Sequence, residues 1–141
     1  MLLKKSYRIL IFPYTVFLLY LMFLGMGRSQ YEMNVIRIEP VLSTVNFIKD
    51  TVRWLDIVKI VVGNVVMFMP FGFLGWVFPK LKNLRNLLYA FVSAITIVEG
   101  LQYFTRMGIF EIDDIILNTF GVFLGWKIYR FLDQRIDIKR A

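Results

Sequence analysis

Glu99, Gln102, Arg106, Asp113, Asp114 and Asn118 sit beside strongly apolar runs in the stretch Val98–Trp126, VEGLQYFTRMGIFEIDDIILNTFGVFLGW. Ionisable side chains at membrane depth are energetically costly, so such a cluster in a very apolar chain marks a functional site by default. With helical spacing, Glu99, Gln102 and Arg106 share one face at i, i+3 and i+7. Asp114, Asn118, Gly121 and Gly125 share another at i, i+4, i+7 and i+11. Two neighbouring helices would present these faces to each other, the glycines admitting a close backbone. Three carboxylates against Arg106 leave surplus negative charge when all are ionised, which invites a bound cation, a shared proton or a cationic ligand group. Two chemistries fit. Glu99 and Asp114 could act as an acid and base with pKa values split by proximity and partial burial. Alternatively, the carboxylates and amides could hold Mg²⁺ or Ca²⁺ through oxygen, with lipid phosphates completing the shell. Against both stands a structural knot, in which Arg106 pairs with Glu99 or with Asp113 and Asp114 while Asn64, Gln102 and Asn118 bond across helices, at ~0.6 kcal/mol per bond.

The elements that must position these residues are those of a membrane protein. A chain of 141 residues that is 58% apolar, with a mean hydropathy of +0.64, is a single domain too apolar for an ordinary soluble fold of that size. It contains no cysteine, which excludes disulfides and thiolate metal sites, and no histidine, which removes the commonest general base and metal ligand. The net charge of +7 is distributed as a membrane topology signal, so no nucleic-acid partner is expected.

The fold class expected is an all-α integral membrane protein, a four-helix transmembrane bundle within one domain, 1–141. A basic start (Lys4, Lys5, Arg8) leads into the first span, about 9–27, which is free of charge from Ile9 to Gly27 and long enough, at about 28 Å, to cross the hydrocarbon core. Pro13 is expected in its first turns, where a missing donor costs little. Within the long polar connection that follows, Leu42, Val45, Ile48, Val52 and Leu55 recur at helical spacing, which predicts an amphipathic interfacial helix at about 43–56. The second span, about 60–78, contains Gly63-Asn64, Pro70 and Gly72. Pro70 should break it near Met67 to Met69, and Gly72 can admit a neighbour. The third and fourth spans, about 86–104 and 113–131, have charge-free cores at Leu87–Val98 and Ile115–Trp126, and the charged tail from Leu132 is expected to leave the membrane.

Four spans put both termini on one side. The N-terminus, the turn at 79–85 and the segment from Lys127 onward carry eleven basic and two acidic residues, whereas the opposite side has six basic and eight acidic ones. Basic loops stay in the cytoplasm, so both termini are expected there. Asn64, Glu99, Gln102, Arg106, Asp113, Asp114 and Asn118 then share the outer end of the bundle.

The ordered set Gly63-Asn64, Phe68, Pro70-Phe71-Gly72, Glu99-x-x-Gln102, Arg106, Asp113-Asp114, Asn118, Gly121 and Gly125 resembles the VanZ-like family of small bacterial membrane proteins, over about residues 9 to 131. In the N-terminal third the resemblance is one of pattern, with Asn34 and Pro40 as a looser form of an Asn-then-Pro element. The resemblance implies a bacterial cytoplasmic membrane location. Since the family's founding member is associated with low-level resistance to the glycopeptide teicoplanin, it also implies a role at the cell envelope. The expectation is an outward-facing polar pocket that binds, and in one version modifies, a cell-envelope component or lipid-linked glycan. In it Glu99 and Asp114 are the acid/base or ion-binding pair, Asn64, Gln102, Arg106, Asp113 and Asn118 line the site, and Pro70, Gly72, Gly121 and Gly125 shape the bundle. A hydrolase or transferase using the paired carboxylates, and a scaffold that assembles with other membrane proteins, are the alternatives.

Overall fold

In the computed structural model, which describes residues 2–25, 30–37 and 54–138 and gives only the backbone course of 54–60 and 136–138, the apolar runs are helices. Helix α1 is Leu2–Phe23. Helix α2, Trp54–Phe68, runs directly into a 3-10 helix, Met69–Trp76. A short 3-10 turn, Pro79–Lys82, then leads to α3, Leu84–Thr105, and α4 is Ile112–Ile138. Two-residue strands β1 (Ile36–Arg37) and β2 (Phe110–Glu111) pair in parallel, Ile36 opposite Phe110 and Arg37 opposite Glu111. The architecture is an all-α membrane helix bundle: α1, α3 and the Ile112–Arg135 part of α4 are long and apolar enough to cross a membrane, and a fourth apolar helical stretch, Val61–Trp76, is shorter. The expected interfacial helix at 43–56 lies outside the described residues except for Trp54 to Asp56, which are the first turn of α2.

Helix ends differ from the hydropathy boundaries. Helix α1 begins at Leu2, so Lys4, Lys5 and Arg8 are helical and Pro13 sits in the interior of the helix, not in its first turns. Its ring removes the bond to the Ile9 carbonyl. Helix α4 runs past the expected end of the fourth span, 131, to Ile138. The reason is Asp133: its carboxylate pairs with Lys4 Nζ, accepts from Trp76 Nε1 at 2.9 Å and receives a longer bond from the Tyr129 hydroxyl, 3.4 Å. Arg8 Nε donates to the Trp76 carbonyl at 2.7 Å. Hydropathy stops at Trp126, but these polar ties hold one further stretch of helix against the N-terminus.

The ladder of α2 stops at Phe68, and Pro70 is the second residue of the 3-10 segment. Two tyrosines of α1 bond to the carbonyls there, Tyr14 Oη to Met67 at 2.6 Å and Tyr7 Oη to Pro70 at 2.9 Å. Irregular backbone at membrane depth persists where protein groups satisfy it. Helix α4 packs most closely on this segment and on α2. A Cβ added at Gly72 would strike the Trp126 nitrogen and Gly125. One at Gly121 would strike the Val65 carbonyl oxygen, and one at Gly125 that of Met69. The contact is therefore backbone on backbone, as small residues permit.

Leu18, Phe68, Leu87, Phe91, Ile95 and Val122 form the apolar core. The surface is apolar too, with Phe12, Tyr89 and Phe104 each at least 70% exposed, while Glu99, Gln102 and Asn118 are buried. Large apolar side chains outside and polar ones inside is the pattern expected with hydrocarbon as solvent.

Candidate functional site

The buried polar residues gather at the end of the bundle opposite Lys4 and Asp133. Glu99 and Gln102 lie on the last two turns of α3, whose apolar face (Leu87, Phe91, Ile95) continues along the same stripe. That shared stripe is why the helix that buries the core also buries these two side chains. Glu99 is 1% exposed, and its Oε2 accepts from the backbone N–H of Glu111 at 3.3 Å. Gln102 Nε2 donates to the Met22 carbonyl at the end of α1, 2.7 Å. A Cβ at Gly108 would come within 3.0 Å of the Gln102 side chain, so the turn after α3 closes directly over that amide.

From the other side, α4 presents Asp113 and Asp114 in its first turn, where the helix dipole favours negative charge. Asp114 Oδ1 accepts from Asn64 Nδ2 at 2.9 Å, a bond between α2 and α4. Asp113 is half-buried in the same turn. One turn deeper Asn118 is 2% exposed; among the described residues its Oδ1 meets no donor, and the Thr119 hydroxyl, which can donate or accept, has no partner. An unmatched buried acceptor costs about 1–3 kcal/mol, which a hydroxyl or ammonium donor would relieve.

Arg106 makes its bonds away from the carboxylates with which the structural-knot alternative paired it. It caps α3 in the left-handed conformation, φ 58° and ψ 21°, which turns its side chain toward the first connection. There Nε donates to Asn34 Oδ1 at 3.0 Å and Nη1 to the Glu32 carbonyl at 3.3 Å. The Tyr31 N–H returns a bond to the Arg106 carbonyl, 2.9 Å. Arg37 pairs with Glu111 at 2.6 Å. Residues 31–37 are thereby strapped over the loop whose Glu111 N–H reaches Glu99. Arg37, Glu111 and Glu32 were not singled out from sequence, since they belong to loops that carry no helical periodicity.

The arrangement at this end is rich in acceptors: the Glu99, Asp113 and Asp114 carboxylates, Asn118 Oδ1 and Thr119 Oγ1. Among the described residues no three acidic side chains gather in one place, so a Mg²⁺ or Ca²⁺ shell here would draw on the amides and on lipid phosphate beside the carboxylates.

A family model described as VanZ/LLP1 matches residues 11–133. Among curated proteins, Protein VanZ of Enterococcus faecium is 29% identical over 111 residues, which cover 78% of this chain and 62% of that protein, so the chain spans less than two thirds of that relative's length. No solved structure matches.

Proposed function

This chain belongs to the VanZ/LLP1 family, and from that premise we propose that it is a multi-pass protein of the bacterial cytoplasmic membrane whose outer polar end binds a donor-rich group of a cell-envelope component. All four apolar segments cross the bilayer in this reading. Helix α2 and the 3-10 segment after it together rise about 38 Å, at ~1.5 and ~2.0 Å per residue, enough for a core of ~30 Å. The asymmetry of basic residues supports cytoplasmic termini and an outward-facing cluster.

The observation that carries the binding reading is the burial of Glu99, Gln102 and Asn118 at one end of a bundle that otherwise turns apolar side chains outward. The ligand chemistry that matches such acceptors is a sugar hydroxyl or an ammonium group, as in a lipid-linked glycan. Glycopeptide tolerance, teicoplanin in particular, is the cellular readout that the family resemblance suggests. Turnover by Glu99 and Asp114 in a hydrolase or transferase is the second reading, favoured by the near-complete burial of Glu99. Formation of product by the purified protein distinguishes it from binding.

Glu99→Gln and Asp114→Asn test the proposal, because each preserves shape and an acceptor oxygen while removing charge. Relief of a buried carboxylate's desolvation should leave the melting temperature in detergent unchanged or raised, while teicoplanin tolerance on expression in a susceptible host is lost. If both variants retain the phenotype of the parent, the cluster is structural glue and the binding proposal fails.

A further inference from the structure

A separate feature runs from the basic end of the molecule up to the level of the polar cluster. Helix α1 rests chiefly on the 3-10 segment, leaving an apolar groove of about 230 Å³ between α1 and α3, with Thr15 and Met22 on one wall, Leu74 on the floor and Leu87, Ala90, Ala94 and Val98 on the other. The two alanines, at i and i+4, are what leave the space. From Leu87 to Val98 helix α3 rises about 16 Å, close to half of the ~30 Å hydrocarbon core, the depth of one leaflet.

The charges at the groove's basic end identify the occupant. Arg8 lies seven residues before Thr15 on the same stripe of α1, and through Nε it bonds the carbonyl of Trp76, two residues beyond the floor residue Leu74. That leaves both of its Nη groups without a protein acceptor among the described residues. From the other side the Lys82 side chain lies over Gly75, 3.1 Å from where a Cβ there would stand. The Arg8 guanidinium and the aliphatic part of the Lys82 side chain thus flank Gly75-Trp76. The carboxylate described at this end, Asp133, pairs with Lys4 and also faces the charge of Lys82, so Lys4, Arg8 and Lys82 share one anion among the described residues. We infer that the groove between α1 and α3 holds one acyl chain of an anionic phospholipid, whose phosphate is met by Arg8 and Lys82.

The acyl chain supplies the apolar contacts that α1 and α3 do not give each other, and the phosphate neutralises two cations beside the buried Trp76. Basic pockets between membrane helices recognise anionic headgroups in this way. The groove's charged end, Arg8 and Lys82, lies away from the outer polar cluster, and the proposal does not depend on the function given to that cluster.

The test is native mass spectrometry of the full chain, purified in detergent and exchanged against phosphatidylglycerol or phosphatidylcholine of identical acyl composition. The parent should retain phosphatidylglycerol preferentially. Arg8→Gln and Lys82→Gln should each lower that preference about fivefold, the effect of one basic side chain near a lipid phosphate. Ala94→Phe, which fills the groove, should release both lipids. Ala90→Leu serves the same purpose if Ala94→Phe lacks a helical circular-dichroism spectrum. Equal retention of the two lipids by the parent would overturn the anionic assignment. A phosphatidylglycerol preference that survives groove filling would overturn the groove as its seat.

Discussion

Replacing Gly125 by alanine tests the packing on which the whole bundle rests, and the expected cost follows from the geometry. A Cβ at this position would lie 2.8 Å from the Met69 carbonyl carbon and 3.1 Å from its Cα, and would press still harder on the carbonyl oxygen. Ordinary contact begins near 3.4 Å, so α4 and the 3-10 segment must part by at least several tenths of an ångström. Neither side can yield by rotating a side chain, because the obstacle is main chain. Overpacking of this kind costs about 1–3 kcal/mol, and a rigid obstacle puts the cost near the top, about 3 kcal/mol. At ~2–4 °C per kcal/mol for a chain near this size, the melting temperature should fall by about 6–12 °C. Gly63 and Gly100, also helical, have nothing within 4 Å of an added Cβ, and there the same substitution should stabilise by about 0.5–1 kcal/mol through helix propensity. Thermal melts of the three variants in one detergent provide the assay. If Gly125→Ala melts with or above Gly63→Ala, the backbone contact between α4 and the 3-10 segment is wrong.

Pro70→Ala restores a donor and should let the α-helix continue through Met69–Trp76, shortening that segment by about 4 Å (eight residues at ~1.5 instead of ~2.0 Å); spin labels at Val62 and Phe78 measure the change, and an unaltered distance refutes the role given to the proline. Arg106→Ala removes the bonds to Asn34 and the Glu32 carbonyl and should speed amide exchange across 31–37 with little change in melting temperature; unchanged exchange there would show that the strap is held by other contacts. Single cysteines at Ser6 and Asn83 should be shielded from an impermeant thiol reagent in intact cells while one at Met33 reacts; the opposite pattern inverts the topology.

The sequence by itself carried the class of the protein and the phase of its polar faces. Charge-free runs require a hydrocarbon solvent or a core too large for a chain of this length. A period of 3.6 assigns Glu99 with Gln102, and Asp114 with Asn118, to common stripes whatever they face. Pro70 and the glycines are legible because their effect on the backbone is local. Periodicity provides an angle around a helix and not a partner across it, so the contacts were decided by the tertiary structure. Arg106 turns to Asn34 and Glu32, 72 and 74 residues away, because a left-handed cap at the end of α3 points it outward. Gln102 reaches the Met22 carbonyl, 80 residues distant, because α1 ends at the level where α3 turns. The extension of α4 to Ile138 has the same origin: a charged tail is polar by composition, and only the folded bundle brings Lys4 and Trp76 to Asp133 and makes it cohere. Hydrogen bonds and ion pairs between distant segments depend on ångström-scale positions set by how the helices pack, and hydropathy and spacing contain no such coordinate.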